Sequence, residues 1–174
     1  MKVFLWIVGI VVVVIVVGMA MMGGFQKVVV TSEEQDSIKM IYVEYKGPYN
    51  KVMKSFEQVY NYLNANKITH ADGIGEYLDN PMKVKSTELR SNVGYIVDKD
   101  YKDSGVYKFK SVPSQLYAIA VFKGSPSVGP MLVYPAMNKW IVGNGYEVSG
   151  PCFEIYSMQD KKTSTKYLMP IKKK

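Results

Sequence analysis

Hydrophobic positions in this chain fall into three patterns. From Val3 to Met22 they run for 20 residues without a charge. A helix of that length rises about 30 Å, the thickness of a bilayer core, so the run predicts a single membrane-spanning anchor. Gly18-Met19-Ala20 offers small residues for signal-peptide cleavage, but the run exceeds the usual core of roughly 7–15 residues. After Gly23-Gly24 the pattern changes to short β-branched and aromatic runs broken by Gly, Pro, Asn and Asp. Strands are predicted at 28–30, 38–45, 73–78, 93–97, 106–110, 116–122, 152–158 and 166–171. Two stretches carry helical spacing instead. Val52, Phe56, Val59 and Leu63 recur at intervals of four, three and four, and Met137, Trp140 and Ile141 form a second stripe closed by Gly145. Pro135 should kink that second helix or mark its first turn.

The order β-α-β-β occurs twice. Lys46-Gly47 and Lys123-Gly124 follow strongly apolar strands 77 positions apart, and Glu76 and Glu154 lie 78 apart. Two such repeats without strict β-α alternation imply an α+β fold: a curved, mainly antiparallel sheet with two helices on one face. Two similar halves packed together leave one central cleft. The expected division is an N-terminal transmembrane anchor at 1–24 and one ligand-binding domain at 25–174, long enough to bury a real core.

Charge changes this picture little. The net charge is +7, and the domain carries 21 of the 22 basic residues and all 15 acidic ones. The lysines are dispersed apart from Lys172-Lys173-Lys174, a solvated surface rather than a nucleic-acid stripe. Lys2 on one side of the apolar run and Lys27 and Lys39 on the other favour neither membrane orientation. One cysteine excludes an internal disulfide, and one histidine with one cysteine excludes Cys/His zinc clusters. No P-loop is present, and Gly73-Ile74-Gly75 lacks the rest of a dinucleotide fingerprint. No metal, cofactor or committed catalytic residue is expected.

Two features remain as candidate chemistry. Glu154 sits among Phe153, Ile155 and Tyr156, and a carboxylate buried there needs a cation, a proton or hydrogen bonds. Fourteen tyrosines is a heavy load. Tyr42, Tyr77, Tyr95, Tyr117 and Tyr156 fall on predicted strands, and Trp140 lies on the second helix. Such rings pack in sheets, and they also make walls for flat, apolar or cationic ligands.

At Lys46-Gly47-Pro48-Tyr49, Glu76–Pro81, Lys123-Gly124, Trp140-Ile141 with Asn144-Gly145-Tyr146, and Gly150-Pro151 with Glu154-Ile155-Tyr156, the chain resembles the GyrI-like family over roughly residues 38–171. That family includes DNA gyrase inhibitory proteins and effector-binding domains of multidrug-responsive regulators. In layout the chain is similar to membrane-anchored GyrI-like proteins of the ER-autophagy receptor type, without their long disordered tail. The resemblance implies a central ligand cleft with the glutamate matching Glu154 at its base and tyrosines as walls. Some relatives are hydrolases, which implies that the same carboxylate can act as acid/base.

The function expected from the sequence is therefore a single-pass membrane protein whose GyrI-like domain binds a small amphipathic or cationic molecule. Glu154 is the charge partner, and Tyr42, Tyr77, Tyr95, Tyr117, Tyr156 and Trp140 are the walls. The alternatives are a hydrolase of reactive small molecules using Glu154, or a membrane-tethered adaptor for a protein partner. No DNA-binding helix-turn-helix precedes the domain, so direct nucleic-acid binding is not expected.

Overall fold

Period-two apolar runs become strands where a neighbouring strand is present to pair with them. The computed structural model describes residues 2–159 and 162–174. Nine strands and three helices follow in the order α1 (Lys2–Met21), β1 (Val30–Gln35), β2 (Ile38–Lys46), α2 (Met53–Ala65), β3 (His70–Tyr77), β4 (Arg90–Val97), β5 (Lys108–Val112), β6 (Gln115–Lys123), α3 (Gly129–Gly143), β7 (Tyr146–Val148), β8 (Cys152–Gln159) and β9 (Lys162–Lys173). The sheet is antiparallel, in the order β1-β6-β9-β8-β3-β4-β2-β5, with β7 added beside β9.

The first repeat is β2-α2-β3-β4 and the second is β6-α3-β8-β9. Their leading strands are exchanged: β1 precedes the first repeat but pairs β6, and β5 precedes the second but pairs β2. Read from either end, the strand order is therefore the same for the two repeats. The halves meet at β3 and β8, where Gly75 stands directly opposite Glu154.

Two short connections show how far this sheet curls. Strands β1 and β2 are six strand spacings apart in the order, about 29 Å on a flat sheet. Only residues 36–37 join them, a link of at most about 11 Å between Cα atoms. The connection from β5 to β6 through residues 113–114 crosses the same gap. The concave side holds Met40, Ile74, Tyr117, Ile119, Phe153 and Leu168 in one buried cluster. Gly94 serves this close curl: a Cβ there would lie 1.8 Å from the Ile41 carbonyl oxygen.

Both helices cover the convex side. Phe56, Val59 and Leu63 of α2 pack on Ile41, Val43, Val93 and Val97. Val133, Met137 and Ile141 of α3 pack on Ala118, Ala120, Phe122 and Tyr167. Helix α2 ends at Asn66, whose side-chain amide donates to the Tyr62 carbonyl (2.8 Å). Helix α3 opens with Pro130 in its first turn and stops before Gly145, which adopts a left-handed φ of 74°. Pro135 does not mark the first turn but lies inside the helix.

Two expectations need correction. Strand β1 (Val30–Gln35) lies beyond the apolar 28–30 strand expected, because pairing along β6 supplies hydrogen bonds that its polar sequence does not advertise. More importantly, among the described residues no helix is long and apolar enough to cross a membrane. Helix α1 (Lys2–Met21) forms in that segment, and the side chains of Val3 and Leu5 lie outside the described residues. The single-pass anchor, the membrane localisation and the tethered-adaptor reading that depended on them are withdrawn.

Candidate functional site

Glu154 lies near the middle of β8, and alternation along that strand turns it to the convex side with Cys152 and Tyr156. There it sits beneath α3 and beside the start of α2. It is 4% exposed. Among the described residues its side-chain partners are two phenols: Tyr134 of α3 donates to Oε1 (2.7 Å), and Tyr156 donates to Oε2 (2.9 Å). With the carboxylate ionised, the Tyr156 proton is committed to it, and the Tyr77 hydroxyl donates to Tyr156 across 2.6 Å. The result is a directed chain of hydroxyls ending on one carboxylate. Among the described residues no lysine, arginine or histidine pairs with it.

Electrostatics follow from that environment. Burial raises the Glu154 carboxyl from 4.5 to about 7, with the Tyr134 and Tyr156 hydrogen bonds opposing the rise. The group is therefore near half ionisation at neutral pH. The surrounding phenols are all held above their ordinary range, chiefly by burial and with Glu154 adding to it. They remain neutral donors.

Tyr167 of β9 stands directly opposite Glu154 on the other flank. Its ring meets Tyr134 edge-on at 5.7 Å, and its buried hydroxyl has no hydrogen-bond partner among the described residues. An unmade hydrogen bond in a buried place costs free energy until a partner arrives. Gly75 leaves room on the opposite strand: a Cβ there would come within 3.0 Å of the Tyr77 ring. That vacancy lets Tyr77 lie over the strand and reach Tyr156. On the outer side, Phe56 of α2 closes over Tyr156 (5.5 Å, edge-on) and touches Tyr95 (6.0 Å). Beyond it an open groove is lined by Met53, Tyr60 and Tyr95.

Of the residues expected at the site, the fold brings Tyr77 and Tyr156 to Glu154 and puts Tyr95 one layer out. Tyr42 and Tyr117 face the concave side and pack in its cluster instead. Trp140 lies toward the far end of α3, stacked on Tyr146 at 6.0 Å. Three participants were not expected: Tyr134, Tyr167 and Phe56. Tyr167 lies within the strand expected at 166–171, but only the pairing of β9 with β8 brings it to Glu154. Tyr134 carried no such signal, because Pro135 obscured the helix phase. Glu76 is not the structural counterpart of Glu154. The register places Glu76 opposite Phe153, one residue out of phase and on the other face.

Comparison with known proteins agrees with this architecture. The profile of the GyrI-like small molecule binding domain matches residues 29–172, and the chain belongs to that family. It is 28% identical over 115 residues to a DNA gyrase inhibitor of Citrobacter koseri, covering 63% of this chain and 74% of that one. The fold is shared with the C-terminal domain of EcmrR (TM-score 0.73, 17% identity, 84% of this chain and 99% of that one). Against the EcmrR chain solved in its DNA complex (TM-score 0.72, 14% identity), 84% of this chain aligns but spans only 58% of that protein's length. It is also shared with SAV2435 bound to tetraphenylphosphonium (TM-score 0.58, 16% identity, 83% and 94% covered) and with a hydrolase from Listeria innocua (TM-score 0.58, 12% identity, 82% and 91%). The profile match carries the family, and the solved structures share its fold. The comparisons do not show the finer likeness to ER-autophagy receptor proteins.

Proposed function

We propose that this domain binds a small lipophilic cation or amphipathic molecule on the convex side, between α2 and α3, with Glu154 as its charge partner. One observation carries the reading: among the described residues, a buried carboxylate is held by neutral phenols with no cation paired to it. Such a group has an unmet demand for positive charge, and a cation entering the site meets it where attraction is little screened. Tyr134, Tyr156, Tyr77 and Tyr167 supply aromatic surface, and the free Tyr167 hydroxyl supplies a hydrogen bond. Phe56 and the side chains around Glu154 fill the space, so a ligand enters by displacing them. A fold relative solved with a lipophilic cation supports choosing that chemistry first.

The test is a thermal-shift screen of the full chain against lipophilic cations, neutral amphiphiles and anions, beside Glu154→Gln. A ligand at 100 times its dissociation constant stabilises by about 2.7 kcal/mol. Cations should raise the melting temperature of the wild type but not of Glu154→Gln. Equal shifts in both proteins would remove Glu154 from the reading, and no shift by any cation would defeat it.

A second reading has its own observation. A carboxyl titrating near 7 beside two phenols is suited to general acid/base work, so hydrolysis of a reactive small molecule at the same site is the competing function. It predicts turnover of the bound compound, lost in Glu154→Gln while binding of uncharged substrate persists.

A further inference from the structure

The concave side carries a second buried carboxylate with quite different company. Glu76 of β3 is 4% exposed, and both of its side-chain donors converge on one oxygen. Asn92 Nδ2 and Lys110 Nζ each reach Oε2 at 2.5 Å. Oε1 accepts no hydrogen bond among the described residues. Lys110 comes from β5, three strands away and about 14 Å off on a flat sheet, so the curl itself delivers the ammonium. The ammonium lies over the rings of Tyr42 (5.6 Å) and Phe153 (5.9 Å) while its side chain stays 27% exposed.

This pair opens into a cleft of about 280 Å³, built from Glu76, Lys110, the 111–115 crossing, the 149–151 turn, Phe153 and Pro170. That volume lies just below the range of about 300–1,000 Å³ typical of drug-sized ligands, so its occupant is compact. The cleft offers three chemistries side by side. Lys110 has ammonium protons left over, the open oxygen of Glu76 has lone pairs left over, and Val112, Pro113, Pro151 and Pro170 give an apolar wall. Ser149 at the rim adds a hydroxyl. A pair that is neutral as a whole gains little from a simple anion or cation, because each is attracted by one partner and repelled by the other. A ligand carrying both charges matches both ends.

We propose that the helix-free side holds a second site, which takes a small zwitterion of amino-acid size. Its carboxylate lies on Lys110 and its ammonium on Glu76 Oε1. The site is separate from the Glu154 site: the two carboxylates project from opposite faces of the sheet.

The probes are L-alanine, L-valine and L-leucine, their N-acetyl derivatives (carboxylate only) and their amides (ammonium only), titrated into the full chain by calorimetry. The zwitterions should bind, and each single-charge derivative should bind more weakly by roughly tenfold or more, the loss expected for one unmade charged hydrogen bond. Lys110→Met should abolish binding. Because that variant also leaves Glu76 without its cation, Ser149→Leu is made in parallel: it narrows the rim at an exposed position and should weaken binding while the fold keeps its stability. Glu154→Gln should leave zwitterion binding unchanged. Failure of all three zwitterions to bind, equal binding of the derivatives, or undiminished binding to Ser149→Leu would each overturn the proposal.

Discussion

Glu76 and Glu154 lie on adjacent central strands, are equally buried, and belong to opposite worlds. Glu154 faces the helices and meets only phenols. Glu76 faces the hollow of the sheet and meets a lysine brought in from the far edge. The difference comes from a single residue of register: Gly75, not Glu76, stands opposite Glu154. Along a strand each step changes the face, so two glutamates 78 residues apart in similar repeats serve unrelated surroundings. The comparison teaches that a buried carboxylate is defined by what answers its charge. Where the protein answers it, the group is structural or part of a paired site. Where it does not, the group is left to titrate or to attract a ligand.

The largest expected break in this comparison is in pH dependence. Glu154 ionises near 4.5 when unfolded and near 7 when folded, so between those values the folded chain holds a proton that the unfolded chain has released. Stability from this group is therefore full below about 4.5 and is lost as pH rises through about 7, a change of about 3 kcal/mol. Urea denaturation across this range should show that decline in wild type and its absence in Glu154→Gln. A pH profile unchanged by the substitution would contradict the assignment.

Removing the answering charge on the other face comes next. Lys110→Met strands Glu76, and breaking a buried pair costs about 3–5 kcal/mol. Lys110 keeps some contact with water, so a loss of about 2–3 kcal/mol is expected, and Lys110→Met combined with Glu76→Gln should recover much of it. Smaller again is Tyr134→Phe, which withdraws a phenol from Glu154 Oε1. It should cost about 1–2 kcal/mol at alkaline pH and raise the Glu154 titration midpoint further, visible by carboxyl-carbon NMR. The smallest effect is at Trp140. It stacks on Tyr146 away from both carboxylates, so Trp140→Phe should change cation affinity by less than about 0.5 kcal/mol in calorimetry.

Much of the scaffold was legible because strand and helix periods are local properties. The apolar alternation of β2, β6 and β8 and the Val52–Leu63 stripe each identify an element without reference to the rest of the chain. What those periods do not contain is which strand lies beside which. The exchange of β1 and β5, the curl that carries Lys110 to Glu76, and the divergent facing of Glu76 and Glu154 all depend on pairing. That is why Tyr77 and Tyr156 were found beside Glu154 while Tyr42 and Tyr117, equally good strand tyrosines, belong to the other side. Tyr134 sits on a helix whose phase Pro135 disguises, and Tyr167 is marked only by its partner across the sheet. The apolar amino-terminal run misled differently. Composition alone favoured a span, but among the described residues no helix is long and apolar enough to cross a membrane.

The most direct test of the central claim is a calorimetric titration of tetraphenylphosphonium at several pH values on either side of about 7. If the cation pairs with ionised Glu154, affinity should climb about tenfold per pH unit below that value and level off above it, with a proton released on binding at the acidic end. Glu154→Gln should bind weakly and without pH dependence. Affinity independent of pH in the wild type, with no proton released, would mean that Glu154 does not answer the ligand's charge.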